Sequence, residues 1–426
     1  PNLLAQKFSM VGGGAFTQPL MNDNIGGLLF NGVPNPQFGP RLFINPATTE
    51  IAPVNAVPTT EVFAPSGGPY NNLAVPGAKS FHLLFDGYGN PGNLLLPIPT
   101  ANPYFVRMAS APNTTVIGDA LAQSPTFFSL WIGNNDVLGY ALSGGDGTNP
   151  ITPSAGPPGV GFDQTFGAIV ATLTSGGAQG VVANIPDVTS IPFFTSVTHD
   201  VIPLDAATAN AVNGAYAPYN GGLQTALNFG LIDEEEAAAR TIVFEESENN
   251  AVVIEDESLT DLSGLGLPNY RQATADDLFT LTSASFIGTE AVPGNPLTVN
   301  GVAIPLADKW VLIPSEQIEI KMATDAFNAV IESTALAAGL AFADANAILS
   351  QIANGEYSSG NFTFSSGLVL GGIFSLDGVH PHSRGNAVIA NEFLKAIDAT
   401  YGSTFEASGN LYDPGQFPTN YPASLQ

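Results

Sequence analysis

The sequence predicts an α/β fold in three layers, a sandwich with helices on both faces of a mainly parallel sheet. Three observations carry that prediction. Thr126–Ile132 (Thr-Phe-Phe-Ser-Leu-Trp-Ile) is a nearly continuous apolar run, the pattern of a buried parallel strand. Phe162, Phe166, Ile169 and Leu173 recur at helical spacing, Gly176-Gly177 stops that helix, and a second strand, Gly180–Ile185, follows and ends at Pro186-Asp187. Ile389, Phe393 and Ile397, four apart, give a C-terminal helix with one buried face. Strands and helices in alternation mean a parallel sheet covered on both sides.

The other elements follow in chain order. Residues 2–8 read as helix interior, with Leu3, Leu4 and Phe8 apolar. Residues 11–70 are rich in Gly, Pro and Asn and hold one hairpin, Arg41–Ile44 against Glu50–Val54. Asn72–Val75 reads as a short strand that breaks at Pro76-Gly77 into a helix through Phe81 and Leu84. Residues 115–122 are helical in pattern. Ile320, Phe327 and Ile331 mark an amphipathic helix, and Leu340–Ala343 a short strand after it. Residues 200–310 break the rhythm. They hold the acid runs Asp233–Glu236, Glu245–Glu248 and Glu255–Glu257, and two β-like runs, Thr241–Phe244 and Ala251–Ile254. The expected organisation is an α/β domain over 1–199 and 311–426, with 200–310 as an acidic insertion or cap. The acid runs read as solvated surface; the rival reading, a calcium loop, lacks any Asp-x-Asp-x-Asp-Gly spacing. A calcium-dependent surface adhesin would rest on this insertion alone.

Composition narrows the function. Ten Lys and Arg against 37 Asp and Glu give a net charge of −27. Such a chain repels phosphate backbones and anionic lipid, which argues against nucleic acid as a partner. No apolar run approaches the roughly 18–20 residues that span a bilayer. With 46 Gly and 34 Pro and few charges, the chain has the loop-rich texture of an extracellular α/β protein. It has no Cys, which removes disulfides and thiolate chemistry.

Three segments carry chemistry. In Asn72-Leu73-Ala74-Val75-Pro76-Gly77-Ala78-Lys79, a strand turning into a helix at Gly77 leaves backbone N–H groups facing the crevice at the strand ends. In Trp131-Ile132-Gly133-Asn134-Asn135-Asp136, a Gly-x-Asn-Asp turn aims an amide outward, a suitable oxyanion donor, while Asp136 pins the turn. An ordinary Asx-turn is the plain alternative there. In Asp377-Gly378-Val379-His380-Pro381, an acid three positions before an imidazole can orient the ring and leave its other nitrogen outward as a general base. Of the remaining histidines, His82 falls on a helix face, His199 opens the insertion, and His382 is placed to begin the last helix.

Together these segments resemble the SGNH (GDSL) hydrolase family. Its members carry, in order, a Gly-Asp-Ser nucleophile block, a Gly block, Gly-x-Asn-Asp and Asp-x-x-His, and the last three stand here in that order. The resemblance covers about 70–200 and 310–400 and implies a flavodoxin-like sandwich. It implies a serine esterase, lipase or acylhydrolase acting by acyl transfer. His380 would be the general base and Asp377 its orienting acid, Gly77 and Asn135 the oxyanion donors, and Gly133 and Asp136 the supports. No metal or organic cofactor is called for. The substrate would be a small-molecule, lipid or acylated-glycan ester, and the setting secreted, periplasmic or on the outer surface of a bacterium.

One block departs from the family. Residues 1–69 hold no Gly-Asp-Ser or Gly-Asn-Ser, and the near match Gly118-Asp119-Ala120 comes after the Gly block with Ala in place of serine. Together with the helical opening at residues 2–8, this predicts that the nucleophile and the first strand of the sheet lie upstream of Pro1. The 426 residues alone would then be inactive, with an abnormally wide spacing between the strand at Val75 and the strand at Ile132. The alternative is a non-catalytic carbohydrate- or lipid-binding protein on the same fold.

Overall fold

The computed structural model describes residues 1–147, 149–295 and 298–425, in two compact units. One comprises Pro1–Val137, Thr152–Val188 and Ala323–Gln426; the other Leu138–Ile151 and Thr189–Met322. The stretch expected as an insertion, 200–310, lies inside the second unit, which also takes in 138–151, 189–199 and 311–322. In chain order the main elements are α1 (Asn2–Ser9), β1 (Phe127–Trp131), α2 (Asn134–Leu142), α3 (Phe162–Thr174), β2 (Gln179–Ala183), α4 (Ala206–Asn228), α5 (Pro314–Ala337), β3 (Ala341–Ala343) and α6 (Ser383–Tyr401).

The only parallel sheet among the described residues has three strands in the order β3–β2–β1, with Ala341 opposite Val181 and Phe127 opposite Gln179. Val181, Val182 and Ala183 of the central strand are fully buried, so β2 is covered on both faces. Val181 and Ala183 face α6, where they share a cluster with Ala341, Ala343, Phe393, Leu394, Ile397 and Leu4. Burying a Leu or Phe of this kind stabilises by about 1.5–3 kcal/mol relative to exposure. An αL cap ends the helix at Gly402, whose N–H donates to Asp398 O and whose φ of +70° suits a residue without a Cβ.

The chain is mixed α/β, 37% helix and 13% strand, and its remaining strands pair as two-stranded antiparallel hairpins rather than extending the sheet. Leu42–Ile44 pairs with Ile51–Pro53 as the expected hairpin. Three expectations are corrected. Phe127–Trp131 is an edge strand: among the described residues it pairs with β2 alone, its Phe127, Phe128 and Trp131 are half-buried and Ser129 is exposed. Asn72–Val75 forms no strand. The N–H groups of Asn71 and Asn72 donate to Thr17 O, and Ala74 N–H to the Asn72 side chain. An Asx-turn thus takes a bond that a ladder would need. The helix expected after Pro76-Gly77 is a five-residue 3₁₀ turn, Ser80–Leu84.

The second unit builds its own core around α4, from which Val212, Tyr216, Tyr219, Leu223 and Ala226 are buried. Thr241–Phe244, expected as a strand, shows the alternation without the ladder. Ile242 and Phe244 are buried, but their N–H and C=O groups bond to the side-chain amides of Asn220 and Asn213 on α4. Two asparagines seven residues apart, on one helical face, replace a neighbouring strand. The acid run Asp233–Glu236 supplies the N-cap and first turn of a short helix, Glu234–Arg240, where negative charge is favoured. No helix among the described residues is long and apolar enough to cross a membrane.

Candidate active site

The Asp377–His380 pair forms within one tight turn. Phe374 and Pro381 bridge as its stem, Ser375 N–H donates to His380 O, and Gly378 sits at φ +72°. Asp377 Oδ1 accepts from Ser375 Oγ at 2.6 Å and from the Val379 and His380 N–H groups at 2.9 Å each. Its other oxygen, Oδ2, lies 2.8 Å from His380 Nδ1. Burial alone would raise the Asp377 carboxyl, but the His380 ring, the Ser375 hydroxyl and the two N–H groups hold it well below the usual range. The hydrogen bond to Asp377 raises the His380 imidazole above its ordinary value, with desolvation opposing. An ionised acid on Nδ1 puts the neutral ring's proton there and leaves Nε2 as the basic nitrogen. The His380 side chain is 71% exposed, and no hydroxyl hydrogen-bonds its Nε2 among the described residues.

The Gly and Gly-x-Asn-Asp segments join as a second part of the site, within the first compact unit. Asn135 Nδ2 donates to Ala78 O at 3.0 Å, using one of its two amide hydrogens. Asp136, fully buried, accepts from Ser80 N–H at 2.8 Å and from Ser80 Oγ at 2.7 Å. Burial raises the Asp136 carboxyl, and Ser80 and the Lys79 charge work against that rise. Asn102 Nδ2 holds Pro76 O at 2.8 Å from the other side. Gly77, at φ +77°, is exposed, and its N–H donates to nothing among the described residues. One exposed N–H and one spare amide hydrogen thus flank the Pro76–Ala78 turn. Sequence reasoning did not find Ser80, Asn102 or Ser375; Ser375, two residues before Asp377, left the only local signal.

Ring contacts place the two parts with respect to the sheet. Phe127, at the start of β1, meets Tyr401 at 5.9 Å, and Trp131, at its end, meets Phe393 at 6.1 Å. Helix α6 therefore runs antiparallel to the strands, and its N-terminal end, next to His380, lies beyond their carboxyl ends. Gly133 and Asn135 follow β1 on that same side. No hydrogen bond joins the Asp–His turn to the Gly77–Asn135 junction among the described residues.

His82 and His382 have structural work. His82 stacks on Tyr88 with centroids 4.4 Å apart, and burial followed by the Lys79 charge lowers it to about 4. His382 is the N-cap of α6: its Nδ1 accepts from Arg384 and Gly385 N–H. Burial, then Arg384, lowers it to about 4, so it stays neutral and able to accept. We expect His382→Ala to lower stability by about 1 kcal/mol, while His382→Asn, a good cap, largely retains it. Thermal unfolding of both variants checks this; equal losses would deny the cap. Comparison with protein-family models, curated proteins and solved structures finds no match to the chain.

Proposed function

We propose that this chain carries the acid–base and oxyanion parts of a serine-type carboxylic-ester hydrolase on an α/β/α sandwich of the SGNH kind. The observation that carries the reading is the 2.8 Å bond from His380 Nδ1 to Asp377 Oδ2, which leaves Nε2 exposed. Nε2 takes the proton of the attacking hydroxyl and later returns it to the leaving alcohol, while Asp377 stabilises the imidazolium. The Gly77 N–H and the Asn135 amide stabilise the tetrahedral oxyanion. Removing one such donor typically costs about 10²–10³ in rate. The serine itself is supplied by none of the blocks in these 426 residues. Without it the chain falls short of full activity by about 10⁶. The substrate class is a small-molecule, lipid or acylated-glycan ester.

The test uses p-nitrophenyl acetate, an activated ester that an oriented imidazole attacks unaided. A weak His380-dependent hydrolysis is expected, reduced by roughly tenfold or more in both His380→Ala and Asn135→Ala. Equal rates in wild type and both variants would sink the reading. Labelling of a serine in this chain by a fluorophosphonate, dependent on His380, would show instead that the nucleophile is already present. One observation favours a second reading, a non-catalytic binder of acylated glycan or lipid: no hydroxyl reaches Nε2 among the described residues. Tight binding of an acylated ligand without any His380-dependent turnover would select it.

A further inference from the structure

We propose that Glu257, Asp308 and Glu316 form a binding site for one divalent cation, calcium, in the second unit. A carboxylate oxygen from each of Glu257, Asp308 and Glu316 lies within 4.8 Å of the others. Glu316 is 3% exposed. Its Oε2 accepts from Ile313 N–H at 2.8 Å, capping the start of α5, but its Oε1 is buried without a hydrogen-bond partner. Asp308 Oδ1 is likewise buried and unpartnered. Among the described residues, none of the three carboxylates pairs with Lys or Arg. A buried, unpaired carboxylate oxygen is costly unless a proton or a cation satisfies it.

The chain wraps the cluster closely. A Cβ at Gly145, which sits at φ +82°, would fall 1.7 Å from Glu316 Oε1, and one at Gly144 would fall 2.6 Å from Asp308 O. Only glycine lets the 144–145 loop approach so near. An all-oxygen, carboxylate-rich donor set suits a hard divalent cation, and calcium accepts such a shell in irregular geometry, whereas magnesium demands a near-ideal octahedron and keeps most of its waters. Exposed Glu257 marks the side on which waters complete the shell.

The full chain, stripped with chelator, is titrated with calcium chloride by calorimetry and followed by thermal unfolding. One ion per chain and a calcium-dependent rise in Tm are expected, with magnesium far weaker. Glu257→Gln, on the exposed side, and Asp308→Asn should each weaken calcium by about tenfold or more, since affinity follows the number of charged ligands. No heat and no shift in Tm would overturn the proposal. So would unchanged calcium affinity in both variants, which would mark diffuse binding to the acidic surface. Magnesium binding as tightly as calcium would overturn the choice of ion.

Discussion

Arg271→Met is expected to lower the stability of the second unit by about 3–5 kcal/mol, the usual cost of removing one partner from a buried ion pair. Arg271 Nε contacts Asp256 Oδ2 at 2.5 Å, and its two terminal nitrogens each contact an Asp277 oxygen at 2.6 Å. All three residues are buried. Burial works to lower the guanidinium, but its bonds to Asp277 and Asp256 raise it further above its already high value. The methionine fills similar volume, so the loss measures two carboxylates left without their cation and not a cavity. Arg271→Lys keeps the charge but not the two-pronged fork to Asp277, and should fall between wild type and Arg271→Met. Urea unfolding with an unchanged slope and a lowered midpoint is the expected readout. A loss below about 1 kcal/mol for Arg271→Met would mean that solvent reaches the two aspartates.

Gly133→Ala is expected to cost a comparable amount, roughly 2–5 kcal/mol, from two separable sources. The residue sits at φ +119°, where an L side chain is strained by about 1–2 kcal/mol. A Cβ there would also stand 2.6 Å from Ile185 Cδ1 and 3.2 Å from the Phe162 ring, an overlap worth about 1–3 kcal/mol. Ile185→Val removes Cδ1 but keeps Cγ1, 2.9 Å from the added Cβ, so the pair Gly133→Ala with Ile185→Val should recover only part of the overlap and none of the backbone strain. Because Gly133 directs Asn135 toward Ala78 O, the single variant should also reduce any Asn135-dependent ester hydrolysis. Full stability in Gly133→Ala would show that β1 can end with a different turn.

The sequence was legible where periodicity and burial agree. Phe162, Phe166, Ile169 and Leu173 are all buried on α3, Phe393 and Ile397 on α6, and β1 to β3 fall where apolar runs placed them. The Asp-x-x-His pair was legible because both partners share one turn, so spacing alone fixed their geometry. Asn72–Val75 misled because Asn72 and Thr17 take bonds that a strand needs, and Thr17 is far away in sequence. Ile242 and Phe244 alternate like a strand, yet their partners are amides on α4, which no local pattern announces. The carboxylate cluster was invisible for the same reason. Glu257 belongs to an acid run, but Asp308 and Glu316 come from two other segments.

The claim at the centre is that Asp377 fixes His380 as a base with Nε2 outward. Its bond to Asp377 stabilises the protonated ring: that stability is fully present below about pH 6.5 and is lost as pH rises through the raised folded value. The neutral form, the one able to accept a proton, therefore predominates only above that value, which sets the acid limb of any His380-dependent rate above about 6.5. The most direct measurement is a nitrogen-15 NMR titration of the His380 ring in wild type and Asp377→Asn. The expected result is an apparent pKa above 6.5 with the proton of the neutral ring on Nδ1, and a fall in pKa when Asp377 becomes Asn. A ring protonated on Nε2, or a pKa that Asp377→Asn leaves unchanged, would contradict it.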